Sequence, residues 1–298
     1  MATFHSEYFE TRHANVRIHV SLSEPSTIPS DSTPTIVFLH YWGGSTRTWA
    51  QVAARVADAS YRTASIDFRG WGLSTGPADA EAYSISLLAD DVQDVLAKLL
   101  PYGGPVVLVG LSMGAKVAQV VAARLATAAA PDNRLSVGAV ILAGPAPATA
   151  FQLPPDMREQ QLHAFDSAEP AAFVAHNVLT ESFRSDNSSN LPNFLVEDML
   201  RGNTPARAAW PAYAMAEDVT ATSLGSLTTP PPVLVLAAEK DIVEPLDRVK
   251  SGVLASISGA KLEVIAGSGH LSPVDAPQAV AEAIVRFVGA VAGTSVTE

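Results

Sequence analysis

Short runs of aliphatic and β-branched residues recur along the chain, each followed by a longer stretch in which Ala, Leu and Val return at helical spacing. The runs Thr35–Leu39, Arg62–Ile66, Val106–Val109, Val137–Leu142, Val233–Leu236 and Leu262–Ile265 read as buried strands, short and apolar with turn residues alongside. Between and after them, Thr48–Ser60, Ser86–Leu100, Met113–Ala129, Leu246–Ser256 and Pro277–Val291 are rich in helix formers. This alternation predicts an α/β fold class with a mostly parallel sheet. Two earlier segments, His5–Glu10 and Val16–Leu22, alternate in polarity as an antiparallel edge pair does, which brings the sheet to about eight strands. The Ser/Pro-rich stretch Ser23–Pro34 reads as an exposed loop.

The alternation stops after Val137–Leu142 and resumes only at Val233. The predicted organisation is therefore a core domain built from residues 1–144 and 230–298, with 145–229 as a helical cap or lid insertion. The insertion carries Phe151, Phe165, Phe173, Phe183, Phe194, Trp210, Tyr213 and Met215, with a loop expected at Ser185–Asn190. Aromatics of this kind suit two roles, covering a pocket or packing the insertion onto the core. Residues Ala292–Glu298 read as a frayed tail.

Composition narrows the classes of function. The 298 residues are 48% hydrophobic and 16% charged, which predicts a soluble protein with a large core. A formal charge of −11 without a Lys/Arg cluster argues against nucleic acid and anionic membranes as partners. No apolar run approaches the roughly 18 residues that span a bilayer, and Met1–Glu10 lacks the basic start and apolar stretch of a signal peptide. A cytoplasmic protein, monomer or homodimer, acting on a small molecule is the expectation. The absence of Cys removes disulfides, thiolate metal sites and a Cys nucleophile. No phosphate loop, G-x-G-x-x-G or paired-His spacing is present, so no cofactor and no metal are expected.

Gly110-Leu-Ser112-Met-Gly114 follows an apolar strand and opens a helix-forming run, as a nucleophile elbow requires. The glycines permit a sharp turn that holds the Ser112 hydroxyl above the sheet, and the Met113 N–H at the helix start is free to bind an oxyanion. A serine hydroxyl needs a base, and the base an orienting carboxylate. His270 lies in a Gly/Ser loop just past the last strand and is the candidate base. His5, His13, His19, His163 and His176 fall in the edge region or the insertion and read as surface or packing residues. For the carboxylate, Asp241 is followed by apolar Ile242-Val243, whereas Glu239 sits beside Lys240 and Glu244 precedes Pro245 like a helix-start residue. Asp241 is the choice, giving the chain order Ser112, Asp241, His270. The loop His40-Tyr41-Trp42-Gly43-Gly44 after Thr35–Leu39 is positioned to offer a second oxyanion donor, and Asp67 and Arg69 suit a hydrogen-bonded turn.

Together these segments resemble the α/β-hydrolase superfamily over residues 15–290, and within it small carboxylesterases and cofactor-free perhydrolases with a helical cap. The resemblance maps a His-Gly-donor pattern onto His40, Tyr41 and Trp42, with Tyr41 in place of the usual Gly. It implies Trp42 and Met113 as oxyanion donors, and by residue type Tyr41, Trp42, Met113, Trp210 and Tyr213 are expected around the substrate. Haloalkane dehalogenases and epoxide hydrolases resemble the fold but use Asp where this chain has Ser112. The expected activity is hydrolysis of small, mainly neutral apolar esters or lactones through an acyl-enzyme on Ser112. Carbon–carbon bond hydrolysis or acyl transfer with the same three residues, and a catalytically silent ligand receptor, remain as alternatives.

Overall fold

The fold is described from a computed structural model, covering residues 3–25, 30, 32–127, 135–185 and 191–294. Eight strands form one sheet: β1 (Thr3–Glu10), β2 (Arg17–Glu24), β3 (Thr35–Leu39), β4 (Thr63–Ile66), β5 (Gly104–Leu111), β6 (Leu135–Ala143), β7 (Val233–Ala238) and β8 (Lys261–Ile265). Their order is β1-β2-β4-β3-β5-β6-β7-β8, antiparallel at β1/β2 and β2/β4 and parallel elsewhere. The strands called from apolar runs are all present, and β3 has the expected bounds. β3, β4 and β7 are buried along their whole length, which is why they read as continuous apolar runs. β1, an outer strand, is exposed almost throughout.

Helices α1 (Ala50–Asp58), α2 (Ile85–Leu99) and α3 (Met113–Thr127) connect the first parallel strands. Between β6 and β7 the chain forms α4 (Pro155–Leu162), α5 (Ala168–Val174), α6 (Ser182–Ser185), α7 (Asn193–Arg201) and α8 (Thr204–Ala212). After β7 come α9 (Leu246–Gly252), α10 (Ser272–Asp275) and α11 (Pro277–Thr294). The pairs α1–α11 and α2–α3 flank the sheet. The helix expected at Leu246–Ser256 is shorter, because Val253 leaves helical geometry and only a 3₁₀ turn, Leu254–Ser256, follows. Most of the loop expected at Ser185–Asn190, the end of the predicted tail and part of the Ser23–Pro34 loop lie outside the described residues. No helix among the described residues is long and apolar enough to cross a membrane.

Asp67 and Arg69 hold the turn after β4. Asp67 accepts hydrogen bonds from the Thr46 and Leu73 amides at 2.6 and 2.8 Å, and Arg69 forms a buried pair with Asp91 while donating to the Ala82 and Leu87 carbonyls. These bonds fix the loops at the carboxyl ends of β3 and β4, where parallel sheets of this class place their sites.

Candidate active site

β5 ends at Leu111, and Ser112 turns the chain into α3 with φ of 56°, a left-handed conformation rare for a residue with a Cβ. Backbone hydrogen bonds hold it there. The Ser112 N–H donates to the Ala143 carbonyl at 3.0 Å, and its own carbonyl accepts from Ala115 and Ala146 at 2.9 and 3.3 Å. Side-chain-free neighbours are required: a Cβ on Gly114 would stand 2.5 Å from the Leu39 and His40 carbonyl oxygens, and one on Gly110 would strike the Gly114 carbonyl. The strain at Ser112 is thus maintained by close packing of the β3 end against the elbow.

Past β7, Asp241 accepts hydrogen bonds through Oδ1 from the Val243 and Glu244 amides at 2.8 and 2.9 Å. Its Oδ2 lies 2.8 Å from Nδ1 of His270, and both side chains are buried. A carboxylate only accepts, so Nδ1 carries the proton and Nε2 is left as the basic nitrogen. Burial alone favours a neutral Asp241 carboxyl, but the His270 charge and hydrogen bond with the two amides hold its pKa below the ordinary value. For His270 burial acts downward, and Asp241 and Glu244 overcome it to leave the pKa raised. Gly144, at φ +42°, lies beneath this pair; a Cβ there would sit 3.2 Å from Asp241 Oδ2 and 3.3 Å from His270 Nδ1. The Lys240 amide donates to the Ser268 carbonyl, which ties the Asp241 loop to the His270 loop. Asp275 completes the support by accepting from Gly269, Glu181 and Ser182.

Glu244 precedes the start of α9, as the pattern before Pro245 predicts. It is buried there and paired with Arg248 at 2.8 Å, with its pKa raised by burial against the Arg248 attraction. If His270 acts as a base it must be neutral, so its raised pKa puts the acid limb of kcat/KM above the ordinary histidine midpoint of about 6.5. Glu244→Gln keeps the backbone N–H that Asp241 accepts but removes a negative charge facing His270. The expected result is an acid limb displaced to lower pH, read from kcat/KM profiles of the two proteins.

On the β3 side, the His40 Nδ1–H donates to the Tyr41 carbonyl at 2.7 Å and its Nε2 accepts from the Phe68 amide at 3.0 Å. Burial lowers its pKa, so a neutral imidazole braces the 40–44 loop. The Trp42 indole N–H donates to the Arg207 carbonyl at 2.8 Å, and its ring packs on Phe165 with centroids 4.2 Å apart. Neither the Trp42 amide nor the Met113 amide takes a backbone partner in a turn or cap among the described residues.

A cavity of about 1180 Å³ opens between this end of the sheet and the helices that follow β6. Ser112, His270, Tyr41, Trp42 and Trp210 all line it. Two residues expected at the substrate do not. The Met113 side chain is buried in the core, leaving only its backbone at the site, and Tyr213 is drawn away by donating to the Ala80 carbonyl and accepting from the Tyr83 amide. Lys116 and Arg248 also line the cavity. Both are already engaged: Lys116 Nζ donates to the Thr149, Met215 and Glu217 carbonyls, and Arg248 pairs with Glu244 and covers the Phe151 ring. Burial lowers the Lys116 pKa to about 8 against the pull of Glu217, Asp218 and Glu244. Lys116 falls one turn beyond Ser112 in α3, a position from which a helical pattern alone gives no sign of three carbonyl partners some 30 and 100 residues away. Among the described residues no three His, Asp or Glu side chains gather as a metal site.

A family model described as "Alpha/beta hydrolase family" matches residues 36–283. The chain belongs to this family. Among sequence relatives of this α/β hydrolase, an uncharacterised protein of Mycobacterium tuberculosis is 27% identical over 265 residues, 86% of this chain and 76% of the relative. Epoxide hydrolase B of the same species is 36% identical over 103 residues, 34% of this chain and 27% of that enzyme. Among solved structures, a thermophilic esterase from Thermogutta terrifontis superposes with a TM-score of 0.73 at 23% identity, covering 96% of this hydrolase and 99% of the esterase. The enol-lactonase from Burkholderia xenovorans gives 0.74 at 18% identity, covering 95% and 100%. At these identities the structural likeness establishes the fold, an eight-stranded, mostly parallel sheet flanked by helices.

Proposed function

We propose that this α/β hydrolase cleaves carboxylic esters or lactones of small, mainly neutral and apolar substrates through an acyl-enzyme on Ser112. The observation that carries the reading is the convergence on one cavity of a strained Ser112 and a His270 whose Nδ1–H is held by Asp241. In this mechanism Ser112 Oγ attacks the acyl carbon and passes its proton to His270 Nε2. The tetrahedral oxyanion is received by the Met113 and Trp42 amides, each worth about 10²–10³ in rate. His270 returns the proton to the departing alcohol, then takes one from the water that releases the acid. Asp241 stays ionised throughout and stabilises the imidazolium.

The substrate class follows from the lining. Trp42, Phe151, Phe165, Phe173 and Trp210 present apolar surface, while of the two cations at the wall Arg248 is paired with Glu244 and the Lys116 donors are taken up by three backbone carbonyls. Residues 145–229 act as the cap that excludes water from the acyl group. The structural likeness to an esterase and an enol-lactonase supports this reading, and Ser rather than a carboxylate at position 112 favours it over epoxide opening.

The test is turnover of p-nitrophenyl esters of graded acyl length and of neutral lactones by the wild type and by Ser112→Ala, each checked for folding. Turnover that disappears with Ser112→Ala, with a rate maximum at a definite acyl length, is the expected result. A folded wild type that turns over none of these substrates would overturn the reading in favour of carbon–carbon bond hydrolysis or ligand reception.

A further inference from the structure

A second serine, histidine and aspartate are joined at the opposite end of the strand order. Ser6 lies on β1, His19 on β2 and Asp67 just past β4. His19 Nδ1 is 2.7 Å from Asp67 Oδ2, and His19 Nε2 is 2.9 Å from Ser6 Oγ. The direction of the His19–Asp67 bond is set by the remaining partners of Asp67. Its oxygens accept from the Thr46 and Leu73 amides as well as from His19, so every neighbour is a donor and the group is held as a carboxylate. His19 must therefore place its proton on Nδ1. In the neutral imidazole Nε2 is then the acceptor and the Ser6 O–H donates to it, the same sequence of donors that activates a nucleophilic serine.

The surroundings differ at the two ends of this relay. Asp67 and His19 are buried, at 1% and 3% side-chain exposure, whereas Ser6 is exposed. Phe4 and Tyr8, two residues to either side on the same face of β1, are each nearly half exposed and flank the hydroxyl. The Tyr8 ring also packs on His19, with centroids 5.2 Å apart, and carries the Arg17 guanidinium 4.7 Å from its centroid. A flat apolar group can rest between the two rings. Among the described residues β1 pairs only with β2, so its outer edge offers backbone N–H groups without a strand partner there, the type of donor an oxyanion requires. Four interstrand steps separate β1 from β5, about 19 Å at ~4.8 Å each, so this group is distinct from the cavity at Ser112.

We propose that Ser6, His19 and Asp67 form a second base-activated serine site, which accepts an acyl group from activated aryl esters. Ser6 Oγ bonds to the acyl carbon as the bond to the aryl oxygen breaks. The Ser6 proton passes to His19 Nε2 and then to the departing phenolate, leaving O-acyl-Ser6 and a phenol. An alkyl fluorophosphonate reports the same nucleophile irreversibly, with phosphorus in place of the acyl carbon and fluoride as leaving group. The site does not depend on the role proposed for Ser112, and the test removes that residue.

Ser112→Ala is treated with the fluorophosphonate and with a p-nitrophenyl ester, digested, and the modified serines located by mass spectrometry. Ser6 is expected to react on the order of 100-fold faster than the exposed Ser251, whose hydroxyl has only backbone carbonyls as partners; that ratio is what a positioned general base contributes. Adding Ser6→Ala, an exposed change that leaves the fold intact, should abolish the label on the segment 3–12. His19→Gln should bring Ser6 down to the Ser251 rate, and should circular dichroism show that variant unfolded, the Ser6:Ser251 ratio in Ser112→Ala alone decides. Equal labelling of Ser6 and Ser251 would overturn the proposal.

Discussion

Asp241→Asn should lower kcat for ester hydrolysis by about 10⁴ while leaving the protein folded, the loss typical when an orienting carboxylate becomes an amide. The reason lies in which bonds the amide can keep. Oδ1 of Asp241 accepts from two backbone N–H groups, Val243 and Glu244, and neither can reverse its direction. The Asn carbonyl must therefore occupy that side, which turns the NH₂ toward His270 Nδ1. Facing a donor, Nδ1 gives up its proton, and the neutral imidazole adopts the tautomer with the proton on Nε2. The nitrogen that should receive the Ser112 proton is then blocked. The substitution also withdraws the leading influence that raises the His270 pKa, so the residual activity should extend to lower pH. Steady-state kinetics across pH, beside a thermal melt, check both statements; a variant that keeps wild-type kcat would remove Asp241 from the mechanism.

The fold was legible because its information is local. Each central strand is buried on both faces and so carries an unbroken apolar run, and each is followed by a helix with its own periodicity. Ser112 was equally legible, since the elbow compresses strand, turn and helix into nine residues whose glycines are explained by contacts with Leu39, His40 and Ala115. What could not be read was the set of contacts made across long separations. Glu244 reads only as a helix-start residue, because the pattern before Pro245 says nothing of Arg248 closing over it or of His270 arriving from 26 positions later. Lys116 reads as one polar position in a helix, and only the fold brings the two ends of the insertion to its ammonium. Tyr213 was assigned to the pocket by residue type, but a hydroxyl goes where its partners are, and Ala80 and Tyr83 were not foreseeable from the insertion. His19 reads as an edge residue until β2 and β4 are paired, when Asp67 comes into reach.

Gly114→Ala is expected to reduce kcat/KM by about 10² and stability by about 1–3 kcal/mol, because its single methyl has nowhere to go. The new Cβ would stand 2.5 Å from the carbonyl oxygens of both Leu39 and His40, well inside van der Waals contact. Those atoms are backbone, so relief requires moving the end of β3 rather than rotating a side chain. The 40–44 loop starts there, and it is braced at His40 by bonds to Tyr41 and Phe68 and at Trp42 by the bond to Arg207. A displacement of half an ångström to one ångström at Leu39 and His40 is therefore passed to the Trp42 amide, while the Met113 amide stays with α3. The two proposed oxyanion donors separate, and the defect should fall on kcat more than on KM. Gly138→Ala on β6 separates this effect from the general cost of losing a glycine. Its Cβ would meet only the Val106 carbonyl, at 3.7 Å, an ordinary contact, so activity and denaturation midpoint should stay close to wild type. Should Gly114→Ala match Gly138→Ala in kcat, the approach of the β3 end to the elbow is not what aligns the two amides.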